Sequence, residues 1–256
     1  MQIKLISITP NAEKVIESAG RTAYLSFDKQ TDLPIIQGMK GQKSKLFWVE
    51  EHPALAPVKT DEKFRVRDED WRAVRIWKNS AEKFVEMLVR NNHLSVLEHA
   101  FATFRISGAS RVFTHQLVRH RMASFTQQSQ RYIDEKGFRY VEPLSIQKHI
   151  AAHQLFVDFV DKAKETYIQL EKMGIRNEDA RFVLPNSVQS EIVATADFRE
   201  WRHIIQIRGS MKAQWEIREA AFKILRIFKK KVPSVFCDLE IDKQKGVLQI
   251  CKEDVI

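Results

Sequence analysis

Arg119-His120-Arg121 is followed by Met122-Ala123-Ser124-Phe125-Thr126-Gln127-Gln128-Ser129-Gln130-Arg131. Three cationic or titratable side chains stand on consecutive residues, then comes a mostly uncharged polar run, then a fourth cation. Consecutive residues do not share a helix face, and on a strand they alternate between faces. The tripeptide therefore aims three polar groups in different directions from one short length of backbone. That arrangement suits a site with several anionic or polar partners, because a guanidinium grips phosphate or carboxylate through two parallel bonds.

Three more clusters carry similar chemistry: Asn92-His93-Leu94-Ser95-Val96-Leu97-Glu98-His99, Asn177 to Pro185 with Glu178, Asp179 and Arg181, and Ile207 to Ile217 with Arg208, Lys212, Gln214 and Glu216. Each falls at the end of an expected element, where binding groups commonly sit. Taken singly, each has an ordinary reading. Arg181 pairs with Glu178 one helical turn away, a contact of about 0.2–0.5 kcal/mol on an exposed helix. Arg208 complements a helix C-terminus, and Glu98 and His99 line a solvated strand. Their joint occurrence favours a constellation. No glycine-rich dinucleotide loop, phosphate loop or nucleophile elbow is present. His93, Glu98 and His99 lack the spacing of a helical zinc site, and no metal is expected.

The bulk properties set wide limits. The chain has 256 residues, 44% of them apolar and 29% charged, which describes a folded globular protein. Lys and Arg outnumber Asp and Glu by 42 to 33, and the net charge of +9 favours anionic partners. Cys237 and Cys251 make neither a disulfide framework nor zinc-ligand spacing. No apolar run approaches bilayer length, and the expected location is cytoplasmic.

The elements that must position these clusters follow from periodicity. Ile3 to Ile8 alternates as a strand, and Asn11 is placed to cap a helix with Val15, Ile16 and Ala19 inward. Residues 28–66 mix Pro34, Gly38, Gly41, Pro53 and Pro57 with charges and read as an inserted loop or flap. A helix is expected from about Asp68 to Asn91 with Trp71, Val74, Ile76/Trp77, Phe84 and Leu88 inward, then a strand over Glu98 to Ser107. Ser110 caps the next helix, which runs into Arg119, and the polar stretch follows as an irregular segment. Phe138 to Val141 is a short strand. One long helix spans Ser145 to Met173 and closes at Gly174; Asn177 caps a short helix. Ser187 to Ala196 is a strand, and helices span Phe198 to Ile207 and Met211 to Lys231. The pattern predicts an α+β fold, mostly antiparallel sheet packed with long helices, in one catalytic domain over residues 1–256.

Arg119-His120-Arg121, seven residues and then Ser129 resembles the R-H-R-x7-S signature of the flavin-dependent thymidylate synthases. The other three clusters resemble that family's flanking blocks in the same order, over about residues 92–230. The resemblance implies the family's fold and its activity. That activity is reductive methylation of dUMP to dTMP, with methylenetetrahydrofolate as carbon donor, NADPH-reduced FAD as hydride source and tetrahydrofolate as product. It implies a homotetramer with active sites at subunit interfaces, and no cysteine nucleophile. By position, Gln116, Arg119, Gln127, Ser129, Arg131, Arg181 and Arg208 resemble dUMP-binding residues. Arg208 and Ser129 are the catalytic candidates, Ser129 reading as a dUMP ligand for want of an activating pair. His93, Ser95, Glu98, Arg119, His120, Arg121, Arg199, His203 and Gln214 resemble FAD-contacting residues. Phe125-Thr126-Gln127 stands where many members carry Tyr-Asn-Glu, and Asp197 and Lys212 stand where some carry Asn and His. The competing expectation is a basic nucleic-acid-binding module or an RNA uracil-methylating protein; neither nucleic acid nor membrane is an expected partner under the leading reading.

Overall fold

Two alternating segments, Phe101–Ser110 and Gln189–Asp197, pair antiparallel at the centre of a four-stranded sheet. Period-2 alternation sends Ala102, Phe104, Ile106, Ile192, Ala194 and Ala196 to one buried face. The opposite face holds a Thr103–Thr195 hydroxyl pair at 2.9 Å and an Arg105–Glu191 ion pair at 2.5 Å. The computed structural model describes residues 1–40, 43–48 and 72–251. In chain order its elements are β1 (Gln2–Ile8), α1 (Ala12–Thr22), β2 (Ile35–Lys40), β3 (Lys43–Trp48), β4 (Arg72–Trp77), α2 (Ser80–Arg90), β5 (Phe101–Ser110), α3 (Arg111–Leu117) and β6 (Ser124–Gln127). They continue as α4 (Leu144–Gln147), α5 (Ile150–Lys172), α6 (Asn177–Ala180), β7 (Gln189–Asp197), α7 (Phe198–Arg208), α8 (Trp215–Lys231), β8 (Leu239–Asp242) and β9 (Val247–Ile250). The sheets run β1-β5-β7-β6, β3-β2-β4 and β8-β9. Every long pairing given for the first two sheets is antiparallel, as the α+β expectation requires.

The chain divides into two compact units, one of residues 1–8, 101–224 and 243–248, the other of residues 9–100, 225–242 and 249–256. In the first, α7 covers the buried face of the sheet. Trp201 meets Phe104 edge-on at 5.1 Å, and its indole N–H donates to the Ala102 carbonyl at 2.9 Å. Phe138, Val160 and Val188 form a second buried cluster with Tyr140, Phe156 and Leu184 around it. In the second unit α1 packs on α2, with Ile16 and Val85 fully buried. A Cβ on Gly20 would lie 2.8 Å from Phe84 Cε1, so glycine is what lets the two helices approach. Arg21 and Glu17 form a buried ion pair one turn apart at 2.8 Å.

Several expectations are corrected. The helix expected over 68–91 begins only at Ser80; residues 72–77 are strand β4, and Trp71 lies outside the described residues. Within 28–66, the described parts include the paired strands β2 and β3 rather than irregular chain. Gly41, Pro53 and Pro57 lie outside the described residues. Glu98 and His99 belong to a 3-10 turn, Ser95–His99, and the strand starts at Phe101. The polar stretch after Arg121 is not wholly irregular, because Ser124–Gln127 pairs with β7. Phe138 to Val141 makes only a single bridge, Tyr140 to Val188. The helix over 145–173 is split at Lys148-His149, where the His149 ring caps α5 by accepting from Ala152 N–H. Gly174 ends α5 at φ +86°, the left-handed conformation that glycine adopts without a Cβ penalty. Val15 is exposed, Asn11 precedes α1 without a side-chain cap bond, and Arg176 rather than Asn177 stands at the start of α6.

Candidate active site

Ser110 makes the first turn of α3. Its hydroxyl accepts from Phe113 N–H at 3.1 Å and donates to the buried Glu216 carboxylate at 2.5 Å. α3 then ends at Leu117, and a tight turn (His120 N–H to Leu117 carbonyl, 3.2 Å) carries His120 inward. α7 is capped by Asp197, whose carboxylate accepts from Glu200 N–H at 2.7 Å. Its last residue, Arg208, meets the α3 turn. Arg208 Nε donates to His120 Nε2 at 3.0 Å, and Nη2 donates to the Gln116 carbonyl at 3.1 Å. A guanidinium nitrogen only donates, so His120 Nε2 is an acceptor and the ring proton sits on Nδ1. That nitrogen faces Glu200 Oε1 at 3.3 Å. His203 stands edge-on to the ring at 5.7 Å.

The electrostatics keep this ring uncharged. His120 is buried, and burial pushes its pKa down to about 4, with the charges of Arg208 and His203 adding to the effect. The ring is therefore neutral at pH 7. Burial pushes the Glu200 carboxyl up and the Arg208 guanidinium down. His120, Glu200 and His203 do offer ligand atoms within 4.8 Å of one another. The guanidinium bonded to Nε2 puts a fixed positive charge against that trio, which opposes a cation there.

A second group forms around Glu178. Arg131 reaches the Glu178 carboxylate through Nε and Nη2 at 3.2 and 3.0 Å, while Arg181 Nε donates to the Glu178 backbone carbonyl at 3.0 Å. The expected Arg181–Glu178 side-chain pair is thus replaced by a backbone contact, and the carboxylate goes to Arg131. Ser129 opens this turn by accepting from Arg131 N–H at 3.3 Å. No histidine or carboxylate among the described residues bonds its hydroxyl.

Gln127 is the third anchor. Its amide N–H groups donate to Thr114 Oγ1 and Ser190 Oγ, both at 3.2 Å. Thr114 spends its own hydroxyl proton on the Arg111 carbonyl, so it must accept here, and the Gln127 carbonyl oxygen is turned away from it. Ser190 also lines an open cleft of about 760 Å³ with Gln128, Glu135 and Arg139.

The remaining expected site residues divide between the two units. Arg119 and Arg121 flank His120 as exposed cations with no ion pair to any described residue. Arg199 and His203 are exposed on α7, and Gln214 caps α8 through Oε1, accepting from Glu216 and Ile217 N–H at 2.9 and 3.3 Å. His93, Ser95 and Glu98 are exposed residues of the second unit, where His93 lines a cavity of about 590 Å³ with Arg21, Lys83 and Phe84.

Residues 4–234 match the family described as Thy1, thymidylate synthase complementing protein. The chain belongs to this family. The match starts at residue 4, well before the block at 92 where the sequence motifs begin. Among relatives of this Thy1 chain, proteins named flavin-dependent thymidylate synthase recur. One from Clostridium tetani is 30% identical over 254 residues, covering 92% of the chain and 85% of that protein. One from Sulfurisphaera tokodaii is 34% identical over 239 residues, with 92% and 76% covered. One from Pyrococcus furiosus is 44% identical over 161 residues, 61% of the chain and 66% of that protein, so that alignment spans just under two thirds of the relative. The nucleic-acid-binding expectation gains no support from these matches. No helix among the described residues is long and apolar enough to cross a membrane.

Sequence reasoning missed Glu200, Thr114 and Ser190 as partners of the site, and it gave Glu178 the wrong arginine. Asp197 three residues before Glu200 was a readable helix-cap signal, but nothing local marks Glu200 as inward.

Proposed function

We propose that this protein is a flavin-dependent thymidylate synthase with that family's fold. It converts dUMP to dTMP with methylenetetrahydrofolate as carbon donor and NADPH as reductant, and it releases tetrahydrofolate. The observation that carries the reading is Arg208, in a chain of the Thy1 family, held at two N–H groups with three of its five N–H donors unspent among the described residues. Those donors stabilise negative charge as it develops on the pyrimidine. Arg131 and Arg181 take the phosphate, a match of two forks to one dianion. Gln116, Arg119, Gln127 and Ser129 hold the sugar and base, with Gln127 offering its carbonyl as acceptor.

The residues present fit FAD. Arg119 and Arg121 are exposed cations with no ion pair among the described residues and suit its phosphates, and FAD-contacting roles are proposed for them with His93, Ser95, Glu98, His120, Arg199, His203 and Gln214. Bound FAD supplies the hydride; the chain supplies orientation and charge. The active assembly is a cytoplasmic homotetramer, and residues 1–256 act as one catalytic domain with 28–66 as an inserted element.

The test is an absorbance spectrum of purified protein before and after dUMP, followed by product analysis. Flavin bands perturbed by dUMP, and dTMP formed only with both folate and NADPH, are expected. A colourless protein that takes up no FAD and makes no dTMP overturns the reading, as does methylation of RNA uracil in preference to dUMP.

A further inference from the structure

We propose that Glu200 is a positioning residue, which acts through the ring of His120 to fix how Arg208 presents its guanidinium to the pyrimidine. The inference rests on the function proposed above and assigns a role to a residue outside the family resemblance.

Arginine is a long, rotamer-rich side chain, and holding it still costs entropy. Two contacts hold Arg208 here. One is to a backbone carbonyl, Gln116, which α3 keeps in place. The other is to His120 Nε2, and it exists only while that nitrogen is unprotonated. Which imidazole nitrogen carries the proton is set by the bond the other one makes. The carboxylate facing Nδ1 is that of Glu200, with Oε1 3.3 Å away, and an ionised carboxylate attracts an N–H there and repels a bare lone pair. It selects the Nδ1–H tautomer and so leaves Nε2 free to receive Arg208. Without it, the ring can turn or carry its proton on Nε2, which would set N–H against N–H.

Glu200 is itself fixed. Its backbone N–H is capped by Asp197, its side chain is 11% exposed, and His203 stands on the same helix beside the ring. Glu200 and Arg208 lie on one helix, eight residues apart, about 80° past two full turns and so within one broad side of it. α7 therefore carries both ends of the relay, with His120 from the α3 turn closing it. Errors in aiming matter: a displacement of 1 Å at a reacting group costs roughly 100-fold in rate.

Glu200→Ala and Glu200→Gln, made in the full chain and loaded with FAD, test the role. In Glu200→Ala, kcat falls roughly 10–100-fold while KM for dUMP stays within about twofold, the signature of lost aim rather than lost binding. Glu200→Gln keeps most activity, because its amide oxygen still accepts from Nδ1–H. Nitrogen NMR of the His120 ring, taken on resting protein, reads Nδ1–H in wild type and in the Gln variant, and loses that signature in the Ala variant. Wild-type turnover in a folded Ala variant, equal losses in Ala and Gln, or an Nε2–H ring in wild type would each overturn the proposal. The NMR reading needs no turnover. If wild type makes no dTMP, the proposed activity fails while the tautomer still reports on the relay.

Discussion

Glu178 ties up the fork of Arg131 and, through its backbone, orients Arg181. The ion pair is half-exposed, 52% and 36%, so it contributes only about 0–1 kcal/mol and yields readily to a phosphate dianion. Glu178→Gln should therefore lower KM for dUMP by about two- to fivefold, read in steady-state kinetics. A raised KM would instead show that the carboxylate holds Arg131 in its working position. The arginines differ in kind. Arg208→Ala should cut kcat by roughly 100- to 1,000-fold, as loss of a preorganised donor does. Arg181→Ala should raise KM with kcat largely kept. Unchanged kinetics in both variants would remove these assignments, whatever the family.

At the scale of elements, Gly20 sets the spacing of α1 and α2. Gly20→Ala places a methyl against Phe84 and Leu88, at 2.8 and 3.2 Å, and should lower stability by about 1–3 kcal/mol in denaturant unfolding. An unchanged midpoint would mean the Phe84 ring swings aside without loss. Such contacts are invisible in a sequence, but much of the framework was not. Ile217, Ala220, Ile224 and Phe228 recur at helical steps and are all buried on α8, and Ser110 caps α3 as its position suggested. The misread helix over 68–91 has a physical cause. Apolar residues at 74, 76 and 77 satisfy a loose helical pattern, yet 74 and 76 also keep the period of two of a six-residue strand. The true start was written in Asn79-Ser80-Ala81-Glu82: Asn79 accepts from Glu82 N–H at 2.9 Å, and Glu82 reaches back to Lys78 N–H at 2.6 Å. In the site, residue types disclosed Arg208 and His120. Glu200, Thr114 and Ser190 were silent, because their roles exist only once α3, β6, β7 and α7 are brought side by side.

For the molecule as a whole, His120 makes stability depend on acidity. Its pKa lies at about 4 in the folded protein, from burial first and then from the charges of Arg208 and His203, with Glu200 facing Nδ1. In the unfolded chain it returns to about 6.5. Between these values the unfolded state binds a proton that the native state refuses. Stability contributed by the neutral ring is thus complete above about 6.5 and is lost as pH falls toward 4. Glu13, Glu135 and Glu200 act with the opposite sign: burial raises them, so their contribution is lost as pH rises. Across this window the denaturant midpoint of wild type should fall toward acid relative to that of His120→Asn, because the carboxyl contributions are common to both. Parallel slopes for the two proteins would show that the ring titrates normally.

Strand β6 is four residues long and, among the described residues, borders only β7, with Ser124 opposite Thr195 and Gln127 opposite Ile192. Parity along that strand decides which side chains look toward Thr114 and which look away. One extra residue within Ser124–Gln127 would invert the side chains beyond it, whereas two would restore the faces. The interval of seven residues is thus a ruler cut to the sheet, tolerant of spelling and intolerant of length.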